Sequence, residues 1–196
     1  MASRDLDPVT RLTADAVGEP GQRTFLIQAA SGPEQVTLLV EKEQVRVLAE
    51  RLIAWLPELA ADRPEDPEEV RAAEASDLSL AEPFEPDFRV GQLAITYDPD
   101  RDRILVVATE LLPDTGDEQE AALELDLELE GELEAALERE PREVRLWVTR
   151  PQLRVLARHG SQVVERGRRP CPLCGNPLDP TGHICPAQNG HRPTLA

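Results

Sequence analysis

The sequence predicts an α+β protein in which two tandem β-β-β-α repeats form an antiparallel sheet that is covered by two helices. Two observations predict this class. A fourteen-residue segment recurs 108 residues further along the chain, and in both copies the apolar residues change from alternate to helical spacing. A third observation, three cysteines within fifteen residues near the end of the chain, predicts a separate small unit there.

The recurring segment occupies residues 36–49 and again residues 144–157. Eight of the fourteen positions are identical in the two copies. In the first copy the identical residues are Val36, Leu38, Val40, Gln44, Arg46, Val47, Leu48 and Ala49. Since both copies lie at the same place in a strand-to-helix pattern, we interpret them as matching parts of an internal repeat.

The first repeat is predicted to span residues 1–60. Strands are expected at 11–17, 23–29 and 36–40, with a turn at 18–21. A helix should follow, because its apolar residues recur at intervals of three and four along one face. These residues are Val45, Leu48, Leu52, Trp55, Leu56 and Leu59.

The second repeat is predicted to span residues 88–169. Its strands are expected at 88–97, 103–109 and 144–148. Thr149 can cap the helix that follows, and Pro151 suits its first turn, where the backbone amides lack acceptors within the helix.

Two acidic segments lie outside this pattern and carry the negative charge of the chain, which is −17 overall. Residues 61–87 contain four prolines among acidic residues and are predicted to be a linker. Residues 113–142 are predicted to be a largely exposed acidic insertion, because their dense like charge opposes a compact state. From residue 144 onward the sequence is basic, with eight arginines against two acids.

The bulk composition favours a soluble protein of the cytoplasm. The sequence has no apolar run of the roughly 18 residues that cross a bilayer, and its first residues lack the pattern of a signal peptide. We therefore expect no association with a membrane.

The three cysteines are predicted to bind zinc in a knuckle at residues 170–192. Cys171 and Cys174 are separated by two residues and followed by Gly175, a spacing that lets two thiolates face one ion across a sharp turn. Cys185 is the expected third ligand. The segment is rich in proline and poor in core-forming residues, so it would need a metal to become ordered.

Two histidines compete for the fourth position of this zinc site. His183 is preferred, because residues two apart in extended chain point to the same side and His183 is two residues from Cys185. His191 is the alternative, at the end of a longer loop. Four protein ligands would close the site and make the zinc structural rather than catalytic.

Several short motifs resemble those of an uncharacterised bacterial family of about 200 residues, found mainly in the high-GC Gram-positive group. The matching motifs are GQRTF at 21–25, FRVG at 88–91, CPLCG at 171–175, GHICP at 182–186 and NG at 189–190. The resemblance covers nearly the whole chain, with the acidic segments matching least. It implies a zinc motif that includes the position of His183 and not that of His191, and it implies no activity or substrate.

Enzyme motifs are scarce in this sequence. It has no glycine-rich phosphate loop, no G-x-S-x-G and no H-E-x-x-H. His159 lies near the end of the second predicted helix, where a histidine favours the helix dipole without any catalytic role. We therefore predict a non-enzymatic binding or adaptor protein. The alternative is an enzyme, or enzyme subunit, with its active site between the two repeats.

A basic stretch is the candidate surface for a partner. Its arginines lie on one face of the second helix or lead into the cysteine motif: Arg150, Arg154, Arg158, Arg166, Arg168 and Arg169. Such a surface suits a protein partner or, as a second alternative, nucleic acid bound through phosphates. Aromatic residues for base stacking are absent from the tail, which favours protein. The same arginines could also be solvated, or pair with the chain's own acidic insertion.

Arg23 is a further candidate, in the turn before a predicted strand. A charged arginine there can bind an anion or can cap the hairpin, and the second role is preferred. A deep cleft lined by Arg23, Gln22 or His159 would favour the enzyme hypothesis.

Overall fold

Seven strands and three helices make up the part of the chain that the computed structural model describes, which is residues 3–19, 21–112, 139–166, 171–174 and 185. The elements in chain order are β1 (Ser3–Leu6), β2 (Arg11–Val17), β3 (Thr24–Ser31), β4 (Glu34–Val40), α1 (Lys42–Asp62), α2 (Pro67–Glu74), β5 (Phe88–Asp98), β6 (Arg103–Glu110), β7 (Glu143–Val148) and α3 (Arg150–Glu165). The chain is therefore a mixed α+β protein, as predicted.

All seven strands join one sheet in the order β1-β7-β6-β5-β4-β3-β2. Four of the neighbouring pairs are antiparallel, but β1 pairs with β7 and β4 pairs with β5 in parallel. The sheet is thus mixed, whereas the sequence predicted an antiparallel one. The long connection through α1 and α2 allows the parallel β4–β5 pair, because parallel neighbours need a crossover and cannot be joined by a tight turn.

The alternation of apolar residues places one face of the sheet in the core. In β6 the buried apolar residues are Ile104, Val106 and Ala108, and their neighbours in β7 are Val148, Leu146 and Val144. Burying each valine, leucine or isoleucine of this set contributes about 1.5–3 kcal/mol. The helices complete this core through the apolar stripe of α1 and through Leu153 and Leu156 of α3.

The sheet is strongly curved, so that strands far apart in its order come into contact. Arg4 on β1 donates hydrogen bonds to the Gln35 carbonyl oxygen at 2.8 Å and to the Asp87 carboxylate at 2.7 Å. β4, which contains Gln35, lies four places from β1 in the sheet. This curvature wraps the sheet around the core.

Part of the segment that the sequence predicts to be a linker, residues 61–87, is bonded to the outer face of the sheet. A row of three polar residues, Thr13, Gln28 and Thr37, crosses β2, β3 and β4 and is almost fully buried. Gln28 accepts a hydrogen bond from the Ala81 backbone N–H at 2.8 Å and donates one to the Ala81 carbonyl oxygen at 2.8 Å. This part of the segment therefore covers the outer face of the sheet at β2, β3 and β4.

The base of the acidic insertion is held by one carboxylate. Glu110, at the end of β6, accepts hydrogen bonds from the guanidinium groups of Arg139 at 2.6 and 2.8 Å and of Arg142 at 2.6 and 3.0 Å. These bonds hold the pKa of Glu110 far below its usual value. Most of the insertion, residues 113–138, lies outside the described residues.

None of the described helices combines the length and apolar character needed to cross a membrane.

Candidate metal centre and basic surface

The three cysteines come together in space. Their sulfur atoms all lie within 4.8 Å of one another, and the Sγ atoms of Cys171 and Cys185 are 3.9 Å apart. Cys171 and Cys185 are buried, and Cys174 is half-buried. No disulfide joins any of the three. This cluster joins the two ends of a fifteen-residue stretch and can hold a metal ion.

Local backbone geometry prepares the first of these thiols for a metal. Residues 172–174 form a turn, which brings Cys174 back toward Cys171. Hydrogen bonds from the backbone N–H groups of Cys174 and Leu173 lower the pKa of the Cys171 thiol. Since the thiolate is the form that binds metals, this shift favours coordination.

The donor set fits a thiophilic metal. Two sulfurs that share one tetrahedral zinc ion, each at about 2.3 Å, lie about 3.8 Å from each other. The separation of 3.9 Å between Cys171 and Cys185 matches this value. Three thiolates leave one position of a tetrahedral site for a fourth ligand. Both predicted histidines, His183 and His191, lie outside the described residues, as does Gly175.

Arg150, a predicted partner-binding residue, is buried in the folded body. Only 2% of its side chain is exposed. It donates hydrogen bonds to the Asp102 carboxylate at 2.8 Å and to the Arg63 carbonyl oxygen at 2.7 Å. The spacing of the arginines predicted that Arg150 shares a helix face with Arg154 and Arg158. In the structure, the Arg150 side chain instead lies between the first turn of α3, the β5–β6 turn and the end of α1. Arg150 is therefore buried within the fold, unlike the exposed residue that the predicted basic surface requires.

The next arginines of α3 have acidic partners from the segment between α1 and β5. Arg154 forms an ion pair with Glu65, and Arg158 lies 3.8 Å from Glu74. Sequence reasoning considered pairing with the chain's own acidic insertion, whereas these partners come from residues 61–87. Arg166 is exposed at the end of α3, and Arg168 and Arg169 lie outside the described residues.

His159 lies on α3 against the strand β2. Its Nε2 atom is 3.5 Å from the Asp15 carboxylate, and the side chain is 15% exposed. It is absent from the walls of three cavities that lie in the described part of the chain.

Arg23 lies at the rim of a cavity of 410 Å³ where β3 begins and β4 ends. The cavity is lined by Gly21, Arg23, Thr24, Phe25, Leu39, Val40, Glu41, Lys42 and Arg89. Gln22 closes the preceding turn by donating its backbone N–H to the Glu19 carbonyl oxygen at 2.9 Å. Sequence reasoning missed Lys42 and Arg89, because they are distant from Arg23 along the chain.

A larger groove of 570 Å³ lies between α1 and β5, and sequence reasoning did not identify it. Gln44 near the start of α1 donates to the Val90 carbonyl oxygen at 3.1 Å, and Arg63 after its end donates to the Pro99 carbonyl oxygen at 2.7 Å. The helix and the strand therefore run side by side in the same direction. The groove is lined by Glu43, Gln44, Val47, Leu48, Arg51, Leu52, Trp55, Gly91, Gln92, Leu93 and Ile95.

Comparison with known proteins places the chain in one family. No curated protein and no solved structure matches it. A family model matches residues 4–185, which is nearly the whole chain and includes all three cysteines. The chain therefore belongs to the family described as "Protein of unknown function (DUF3090)".

Proposed function

We propose that this chain is a non-enzymatic, intracellular binding or adaptor protein whose C-terminal segment folds around one structural zinc ion. The observation that carries the metal part is the cluster of three sulfur atoms within 4.8 Å of one another. Three thiols that form no disulfide also suit the reducing interior of the cytoplasm.

Cys171, Cys174 and Cys185 would supply three ligands to the zinc, and His183 the fourth, with His191 as the alternative. When bound, the metal would cross-link residues 171–185, a segment that has few core-forming residues of its own. A fully protein-ligated ion has no position open for a substrate, so we assign it a structural role.

Histidine variants test the ligand set and the structural role together. His183→Ala should weaken zinc binding by about tenfold or more, while the matched His191→Ala variant should retain wild-type affinity. Removing zinc with a chelator should increase hydrogen exchange in residues 171–185 and leave the amides of β6 protected. Retained affinity in His183→Ala would reject this ligand, and unchanged exchange after chelation would reject the structural role.

The α1–β5 groove supports binding over catalysis. It is the largest of the three described cavities, and neither Arg23, Gln22 nor His159 lines it. Apolar side chains, including Trp55, Leu93 and Ile95, form much of its wall. These residues provide an apolar contact surface without a cluster of groups suited to acid–base chemistry.

An extended peptide of a partner protein is the occupant that fits this groove. Among the described residues, β5 pairs with β4 only through Phe88 and Arg89, so the edge of β5 beyond Val90 has backbone donors and acceptors that no strand satisfies. A peptide that adds to this edge would gain backbone hydrogen bonds and place alternate apolar side chains against α1. Arg51 at the rim makes no ion pair within the described chain, so an acidic residue in the peptide would complement it.

A displayed library of random peptides would test this groove directly. Selected peptides should carry alternating apolar residues and should bind the Ile95→Asp and Val47→Asp variants at least about tenfold more weakly than the wild type. Ile53→Asp is the matched control, because Ile53 is 50% exposed on α1 and does not line the groove. Failure to enrich any peptide, or equal binding by Ile95→Asp, Val47→Asp and wild type, would reject the proposal.

Nucleic-acid binding through the basic helix has less support. Arg150 is buried, and Arg154 and Arg158 face Glu65 and Glu74. Phosphates would have to compete with these carboxylates, so we do not propose nucleic acid as a partner.

We also propose that the runs β2–α1 and β5–α3 are tandem copies of one unit. The domain boundaries would then be 1–60, 61–87, 88–169 and 170–192. The identical residues in 36–49 and 144–157 support this duplication, as does the shared order of three strands followed by a helix.

A further inference from the structure

Two corresponding positions in the two strand-helix runs carry different charges. The first residue of α3 is Arg150, and the residue immediately before β6 is Asp102; their side chains form an ion pair of 2.8 Å. The first residue of α1 is Lys42, and the residue immediately before β3 is Arg23. Where one run places a cation beside a carboxylate, the other places two cations.

Both of these cations line the same 410 Å³ cavity, which we call the basic pocket. Within the described part of the chain, neither Arg23 nor Lys42 side chain makes a hydrogen bond or ion pair. Arg89 also lines the pocket and pairs with Glu41. Three cations and one carboxylate leave two positive charges, on a chain whose net charge is −17.

Three cations line this pocket with only one carboxylate, Glu41, and like charges repel one another, so the excess positive charge is suited to an anion. The anion would take the place that the Asp102 carboxylate fills beside Arg150 in the other run. Two positive charges match a dianion, and donors from three separate elements suit the tetrahedral oxygens of a phosphoryl group. Lys42 belongs to α1, Arg89 to β5, and Arg23 lies at the start of β3.

The volume and walls of the basic pocket indicate an organic body attached to this phosphoryl group. A cavity of 410 Å³ lies within the range of small-molecule sites, which is about 300–1,000 Å³. Phe25, Leu39 and Val40 contribute apolar surface to its wall. We infer that the basic pocket binds a small phosphomonoester, with its phosphoryl group between Arg23 and Lys42. This inference does not depend on the metal or on the peptide groove.

Lysine labelling gives a site-specific test, because Lys42 is the only lysine in the sequence. In the full-length protein labelled with ¹³C-lysine, phenyl phosphate should shift the single lysine side-chain signal in a saturable manner. Inorganic phosphate should shift the same signal only at higher concentration, since it lacks the organic group that would contact the apolar wall. Phenol is the control for binding through the aromatic ring alone, and benzoate is the control for binding of a carboxylate in place of the phosphoryl group. The inference is rejected if phenyl phosphate causes no saturable shift, or if benzoate binds as tightly.

A charge replacement provides the second test. Arg23→Asp places beside Lys42 the carboxylate that Asp102 provides beside Arg150. We expect this variant to lose phenyl phosphate binding by about tenfold or more and to unfold at a higher temperature than the wild type. Arg23→Gln should lose binding without the rise in unfolding temperature.

Arg46→Gln is the matched control, since Arg46 lies on α1 outside the pocket and pairs with Glu43 and Glu50. It should bind phenyl phosphate as the wild type does. Unchanged binding in both folded Arg23 variants, or an equal loss in Arg46→Gln, would overturn the assignment.

Discussion

Gln44 and Gln152 make matching hydrogen bonds at the beginnings of two different helices. The Oε1 atom of Gln44 accepts from the backbone N–H of Glu41 at 2.8 Å, and that of Gln152 accepts from the backbone N–H of Thr149 at 2.8 Å. Their Nε2 atoms donate to the carbonyl oxygens of Val90 at 3.1 Å and of Val9 at 2.8 Å. Each glutamine thus caps its own helix and also bonds that helix to a distant segment. Gln44 bonds α1 to Val90 in β5, and Gln152 bonds α3 to Val9, just before β2.

We expect Gln152→Ala to lower the free energy of unfolding by about 1–2 kcal/mol, because it removes a helix cap and leaves the Val9 carbonyl oxygen without its donor. Urea unfolding measures this change. Gln162→Ala is the matched control, because Gln162 is exposed on the same helix and should change stability by less than about 0.5 kcal/mol. Equal effects from the two substitutions would contradict the proposed role.

The ion pair between Asp102 and Arg150 joins the β5–β6 turn to the start of α3. Burial acts to raise the pKa of Asp102, but hydrogen bonds from Arg150 and Tyr97 hold it below its usual value. Asp102→Asn keeps the size of the side chain and leaves the buried guanidinium without a counterion. It should destabilise the fold by on the order of 3 kcal/mol.

Thermal or urea unfolding of Asp102→Asn tests this expectation. Asp100→Asn lies in the same turn and is exposed, so it serves as the control and should have little effect. A wild-type stability in Asp102→Asn would show that Arg150 does not need the charge of its partner.

Glu110 should make stability depend on pH. Its pKa lies far below the unfolded value of about 4.3, so its contribution is fully present above that pH and is lost as the pH falls through the folded pKa. Glu110→Gln should therefore be less stable than the wild type at pH 7, and its stability should fall less steeply below about pH 4.3.

Urea titrations at several pH values measure both slopes. The control is Glu58→Gln, since the Glu58 side chain is exposed on α1 and makes no hydrogen bond or ion pair within the described chain. Parallel pH profiles for wild type and Glu110→Gln would contradict the role of this carboxylate at the base of the insertion.

Periodicity predicted most strands and both long helices because each element alternates or repeats its apolar residues over enough length. Val144, Leu146 and Val148 illustrate this, since alternation alone places them on the buried face. The order of strands in the sheet has no such local signal. The parallel β4–β5 pair depends on where a long connection returns, and β1 is only four residues long.

The local sequence pattern also could not predict which polar side chains are buried. Gln28 and Arg150 are polar by composition, yet each is nearly fully buried because distant backbone and carboxylate groups satisfy it. For the candidate metal centre the situation is the opposite. Cysteines are rare in this chain, so the spacing of Cys171, Cys174 and Cys185 predicted a cluster that the structure brings together.

The most direct test of the zinc proposal is the metal content of the full-length protein purified without chelators. Elemental analysis should find about one zinc per chain in the wild type. Cys174→Ser and Cys185→Ser should each lower this value several-fold, and His159→Ala, which changes a histidine distant in sequence from the cluster, should leave it unchanged. A wild-type protein without stoichiometric zinc, or cysteine variants that retain it in full, would contradict the proposed site.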